Sequence, residues 1–118
     1  MRASKNDLPV ASEFPGFESR QTQWGEFNVA FETIAGGLDC TEMFAVLPDG
    51  RCDCPHWGYV VSGKARIKYA DHEDVLTTGD LYYMAPGHIP VIDEDTVLIE
   101  FSPLGEYQKT MAAFEDHG

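Results

Sequence analysis

The sequence predicts an all-β domain, a sandwich or barrel of short strands finished by one C-terminal helix, and three observations carry that expectation. Apolar and polar residues alternate with period 2 in several segments. Clusters of Gly, Pro and Asp interrupt those segments at short intervals, as in all-β folds built from about eight short strands. Only the last stretch, Leu104, Tyr107, Met111 and Phe114, shows the three- and four-residue spacing of an amphipathic helix.

Taken in order, residues 1–20 hold Pro9, Pro15 and Gly16 without a sustained period and predict an extended arm laid across the body. Phe27, Val29 and Phe31 then alternate with Glu26, Asn28, Ala30 and Glu32, the pattern of a half-buried strand. A turn at 35–39 leads to an expected strand over Cys40–Leu47, with Cys40, Phe44 and Val46 on its packed face, and Pro48-Asp49-Gly50 marks another turn. Trp57–Val61, a turn at Ser62-Gly63, and Ala65, Ile67 and Tyr69 alternating with Lys64, Arg66 and Lys68 read as a hairpin with one wet face. Further strands are expected at 75–77, 81–84, 90–92 and 97–101. The resulting division is an arm at 1–20, a barrel at 21–103, and a helix with its tail at 104–118.

With 118 residues, 43% of them apolar, the chain has the size and core of one domain. Twenty acidic against eight basic side chains give a net charge of −12, which disfavours nucleic acid and anionic lipid surfaces as partners. No run approaches the roughly 20 apolar residues of a membrane span, and the first residues lack the apolar core of a secretion signal, so a cytoplasmic location is expected. Three cysteines, an odd number, argue for reduced thiols rather than a disulfide framework.

The chemistry concentrates in residues 52–63, where Cys52, Cys54 and His56 fall within five positions, and in 79–88, which ends on His88. Thiolates with imidazoles suit a divalent transition metal, zinc first, rather than magnesium or calcium. Cys52, Cys54, His56 and His88 are therefore the candidate ligands. On a straight strand, positions 52 and 56 would stand about 13 Å apart, so the metal reading requires a bend, for which Pro55 is suited. The competing readings are buried cysteines acting as small apolar side chains and His56 as a metal-free general base. Trp57, Tyr59, Tyr82, Tyr83 and Met84 could line a pocket or simply pack. An inward His56 would carry Gly58 and Val60 inward and send Trp57 and Tyr59 outward, with Gly58 leaving space beside the imidazole. His72 and His117 are expected to be solvated.

Val60-Val61-Ser62-Gly63 before an alternating strand, and Gly79-Asp80 through Ala85-Pro86-Gly87, resemble the two halves of the cupin superfamily signature over about residues 40–101. The resemblance implies a double-stranded β-helix, or jelly roll, with a cavity between its layers. It also implies pairing of subunits through their sheets, hence a homodimer. The metal motif departs from the family pattern. With its last glycine on Gly63, His56 stands in the place of the glutamate and the two histidine places fall on Gly50 and Cys52, while the histidine place of the second half falls on Pro90. Two functional classes follow: a metal-dependent enzyme acting on a small molecule, with three protein ligands and an open position, or a non-catalytic ligand-binding or structural-metal module, with Cys54 as a fourth ligand. The resemblance names no reaction and no catalytic residue.

Overall fold

The computed structural model describes residues 1–115. Seven strands, β1 Val10–Phe14, β2 Phe17–Trp24, β3 Phe27–Ile34, β4 His56–Lys68, β5 Glu73–Thr77, β6 Leu81–Met84 and β7 Ile89–Pro103, precede or surround two helices, α1 Thr41–Phe44 and α2 Leu104–Glu115. All pairings are antiparallel, in the order β1-β2-β3-β7-β4-β5 with β6 also on β4. The sheet folds on itself because β4 and β7 each serve both layers. Residues 57–62 of β4 pair with 97–101 of β7, and residues 64–68 pair with 89–94, with register shifts between. This is a jelly-roll barrel with a C-terminal helix.

Gly63 lies within that irregularity, so Ser62-Gly63 is a bend inside one long strand rather than the turn of a hairpin. Both flanks pair with β7 and not with each other. The alternation beyond it holds, with Ala65 and Ile67 buried.

The first twenty residues also differ from the expected arm. Val10–Phe14 and Phe17–Trp24 form a hairpin on β3, with Phe14 and Phe17 paired and stacked at 4.8 Å. The hydropathy pattern hid β2 because its buried face is polar: Ser19 and Gln21 are enclosed. The residues before β1 do cross the body, where Leu8 is buried and Lys5 Nζ donates to Thr33 Oγ1. Nor is Cys40–Leu47 a strand. Asp39 Oδ1 accepts from the Thr41 N–H and hydroxyl, at 2.9 and 2.6 Å, and the backbone turns into α1. Cys40 is still buried, whereas Val46 is exposed. The expected helix at 104–114 is α2, and His117 lies outside the described residues.

Cross-strand register sorts the interior into rows. Asn28 and Ser102 lie in one row that continues to His56 and Met84, with the exposed Gln23 at its rim, and Gln21, Ala30, Glu100, Gly58 and Tyr82 lie in the next. Toward the other end, Ile34, Leu98, Val60, Ala65, Ile67, Leu76 and Ile92 form an apolar cluster. One end of the barrel is therefore packed hydrocarbon and the other is polar. On β3 the inward face is Asn28, Ala30, Glu32 and Ile34; on the phenylalanine face Val29 is buried but Phe27 is exposed and Phe31 half-buried.

Candidate metal centre

Three of the four candidate ligands converge. One donor atom each from Cys52, His56 and His88 lies within 4.8 Å of the others, and all three residues are buried. His56 opens β4, one residue after Pro55, so the segment 52–55 leaves the strand path and the separation expected of a straight strand does not apply. Cys52 instead forms an isolated bridge with His88. Its N–H donates to the His88 carbonyl at 3.1 Å, and its carbonyl accepts from Gly87 and His88 N–H groups at 2.8 and 3.2 Å. Gly87, at φ +94°, makes the turn that brings these groups face to face, a conformation that other residues adopt only with strain. Arg51 Nη1 donates to the Gly87 carbonyl and ties the same two segments together.

Cys54 stands outside this group. It is 1% exposed, and its Sγ faces the Pro55 carbonyl at 3.6 Å. With Cys52 and Leu47 it packs beneath Phe44, Tyr107, Ala113 and Phe114. Its surroundings match the reading of a free cysteine as a small buried apolar group.

Both imidazoles have their Nδ1 occupied by protein. His88 Nδ1 lies 2.8 Å from the Ala85 carbonyl, which can only accept, so that nitrogen carries the proton and Nε2 keeps its lone pair. His56 Nδ1 shares a 2.6 Å hydrogen bond with Ser102 Oγ and lies 3.5 Å from Glu100 Oε2. Burial lowers the pKa of each ring to about 4. Neutral imidazoles held through the far nitrogen are what a metal ligand requires. Burial pushes the Cys52 thiol up to about 11, so Cys52 carries a proton that a bound cation would have to displace. Tetrahedral bonds of about 2.0–2.3 Å put ligand atoms roughly 3.3–3.8 Å apart; donors already within 4.8 Å reach that spacing by small side-chain rotations.

A polar chain that the sequence did not reveal adjoins the three donors. Tyr82 Oη donates to Glu100 Oε1 at 2.8 Å, Ser19 Oγ donates to Glu32 Oε2 at 3.1 Å, and Gln21 Nε2 donates to both Ser19 Oγ and Tyr107 Oη. Burial holds Glu100 up at about 7, and burial together with the charge on Glu100 holds Glu32 up at about 8. The only hint available in the sequence is a lone acid inside the apolar run 97–101. Gly58 does sit in the interior, but the volume it leaves is taken by the Tyr82 phenol rather than left open beside His56. Trp57, Tyr59 and Tyr83 point out of the barrel, while Tyr82 and Met84 point in.

No protein-family model and no curated protein sequence matches the chain. Solved structures do. An RmlC-like cupin from Shewanella frigidimarina superposes over 86% of this chain and 88% of its own, with a TM-score of 0.62 at 18% identity. A putative ethanolamine utilization protein Q from Salmonella typhimurium aligns over 86% and 84%, with a TM-score of 0.63 at 8% identity. HppE, in its iron(II) form, aligns over 86% of this chain, with a TM-score of 0.61 at 12% identity; the chain spans 59% of that protein's length. Strand order, the bent β4 and β7, and these superpositions together make the chain a cupin in fold.

Proposed function

We propose that the polar end of the barrel is a mononuclear centre for a divalent transition metal, held by Cys52, His56 and His88, and that it serves an enzyme acting on a small molecule. The observation that carries this reading is the convergence of three donors, with Cys54 outside the group. Three protein ligands leave a coordination position for water or substrate, the arrangement of catalytic rather than structural sites. A metal held there would act as a Lewis acid on a substrate oxygen.

The chain's own groups divide the remaining work. The Ala85 carbonyl fixes the tautomer of His88, and Ser102 orients His56. Glu100, beside His56 and bonded to Tyr82, is placed to take a proton from a bound substrate at Oε2 and return it. The packed hydrocarbon of the opposite end keeps bulk water from entering through the barrel floor.

Zinc suits one thiolate and two imidazoles, and the iron(II) of HppE makes iron the second ion to test. A closed, non-catalytic centre is the second reading, favoured by the burial of all three donors and of the neighbouring Cys54 thiol. Elemental analysis of the purified protein, alone and as Cys52→Ala and Cys54→Ala, tests the proposal. About one equivalent of metal, lost in Cys52→Ala and kept in Cys54→Ala, is the expected result. Loss in both variants would make the site a four-ligand structural centre, and wild-type protein that takes up neither zinc nor iron would refute the centre altogether.

A further inference from the structure

The barrel interior holds two carboxyl groups and no basic side chain to match them. Glu32 on β3 and Glu100 on β7 face inward as diagonal neighbours, because Glu32 pairs with Leu98 and Ala30 with Glu100. None of the eight Lys and Arg residues is buried. Arg20 is paired with Glu18 and Arg66 with Asp93, both on outward faces. Each inner carboxyl is held through one oxygen only: Ser19 Oγ donates to Glu32 Oε2 and Tyr82 Oη to Glu100 Oε1. Among the described residues no hydrogen bond reaches Glu32 Oε1 or Glu100 Oε2; His56 Nδ1, 3.5 Å from the latter, shares its hydrogen bond with Ser102 instead. Glu32 is only half-buried although it faces inward, and no enclosed side-chain oxygen of the described residues lacks a partner. Its Oε1 therefore borders space that protein atoms do not fill.

We propose that the small molecule bound in the barrel is a primary amine, its ammonium group held between Glu32 Oε1 and Glu100 Oε2. As the substrate class of the metal centre this rests on the function proposed above, whereas the ammonium site itself needs no metal. Enclosing a carboxylate is costly unless an opposite charge meets it, and here only a ligand can bring that charge. An ammonium has three N–H donors, so it can bond both free oxygens at once through charge-assisted hydrogen bonds. A second metal ion fits less well. Hard cations such as calcium take roughly six to eight oxygens, and the donors close enough to share an ion are Cys52, His56 and His88, with neither carboxyl among them. An anionic substrate would add a third negative group beside two carboxyls, and the net charge of −12 repels anions while drawing cations toward the barrel. An uncharged analogue would leave both oxygens unpaired, which is how a polar site discriminates most sharply. Glu100 Oε2 is also the atom placed to exchange a proton with substrate. The nitrogen would thus stand beside the reacting carboxyl, while Glu32, which has no other part in the reaction, sets specificity.

Titration calorimetry at pH 8 and constant ionic strength tests it with three matched probes: 3-amino-1-propanol, the uncharged 1,3-propanediol and the anionic 3-hydroxypropanoate. Metal-free and zinc-loaded protein are both titrated. The amino alcohol is expected to bind at least tenfold more tightly than the diol in both forms, and the hydroxy acid more weakly still. Glu32→Gln should lose at least tenfold in affinity for the amino alcohol and little for the diol, whereas Glu13→Gln, which removes the same charge from the exposed face of β1, should change neither. Equal binding of the three probes by wild-type protein, or no binding of the amino alcohol, would overturn the inference without any variant having to fold. So would a folded Glu32→Gln protein that keeps the preference. Metal uptake without preference for the amine would sink this inference alone. Preference for the amine in protein that takes up no metal would support the ammonium site and refute the metal centre.

Discussion

His56 and Glu100 meet on the inner face of the barrel, with His56 Nδ1 3.5 Å from Glu100 Oε2 and 2.6 Å from Ser102 Oγ. Glu100 and Ser102 lie two residues apart on β7, and pairing of β4 with β7 puts both beside the strand end that carries the imidazole. The orientation of this candidate ligand is therefore set by strand register rather than by a mobile loop. Register is tightly fixed where one face is enclosed, because a slip of one residue would turn His56, Gly58 and Val60 outward together.

Removing that support should weaken metal binding without abolishing it. Partners of a ligating imidazole are typically worth about 10- to 100-fold in metal affinity. Ser102→Ala is expected to fall in that range by competition with a chromophoric chelator. An affinity equal to wild type would show that Ser102 does not orient His56.

Gly58→Ala tests the packing behind the site. A Cβ at this position overlaps the Ile99 carbonyl and the Tyr82 phenol, so the substitution must displace the ring that bonds Glu100. Overpacking of this kind costs about 1–3 kcal/mol, and the variant should melt several degrees below wild type by differential scanning calorimetry. In Tyr82→Ala protein the alanine at 58 should cost less, because the ring is gone and only the overlap with the Ile99 backbone carbonyl remains. Equal costs in the two backgrounds would place the clash elsewhere.

How much of this was legible in the sequence depended on which residues carried the signal. The interior of β4 was readable because Gly58 and Val60 follow His56 at period 2 and the outward set is aromatic. The convergence of Cys52 with His88 was only half readable. Composition nominated the residues, but the bridge between them rests on a turn at Gly87 and a departure at Pro55 that periodicity does not encode. β2, Glu32 and Glu100 were missed for one physical reason. Alternation is ordinarily read as polar-out, and this barrel encloses polar side chains at one end while exposing aromatic ones on the back of the same strands. The helix α1 was missed because a single capped turn is too short for a period to form.

α2 is the cover over the cysteine side of the centre. Phe114 lies 5.8 Å from Phe44, and both pack on the cluster of Leu47, Cys52 and Cys54. Phe114→Ala should loosen that cover and expose the thiols. Their rate of reaction with a disulfide reagent in metal-free protein is expected to rise at least tenfold while the barrel keeps its β-sheet circular dichroism. Reaction at the wild-type rate would show that access to Cys52 and Cys54 is controlled elsewhere.

The buried carboxyl of Glu32 sets a pH dependence of stability. Its pKa rises from 4.5 to about 8 on folding, first through burial and then through the nearby charge of Glu100. A carboxyl whose folded pKa is raised binds its proton more tightly when native, so its contribution is fully present below about pH 4.5 and is lost as pH rises through about 8. His56 and His88 act in the opposite sense, since their lowered values withdraw stability as pH falls from 6.5 toward 4. Between pH 6.5 and 8 the histidines are neutral when folded and lose the last of their protons when unfolded, while the carboxyls contribute more and dominate. Metal-free protein should therefore lose thermal stability steadily across that interval, each fully titrating carboxyl contributing up to about 1.4 kcal/mol per pH unit. Glu32→Gln removes the larger of the two carboxyl contributions and should flatten the slope by more than half, leaving the share of Glu100, which is itself raised to about 7. A variant whose melting temperature falls between pH 6.5 and 8 as steeply as that of the wild type would mean that the Glu32 carboxyl titrates in contact with water and not inside the barrel.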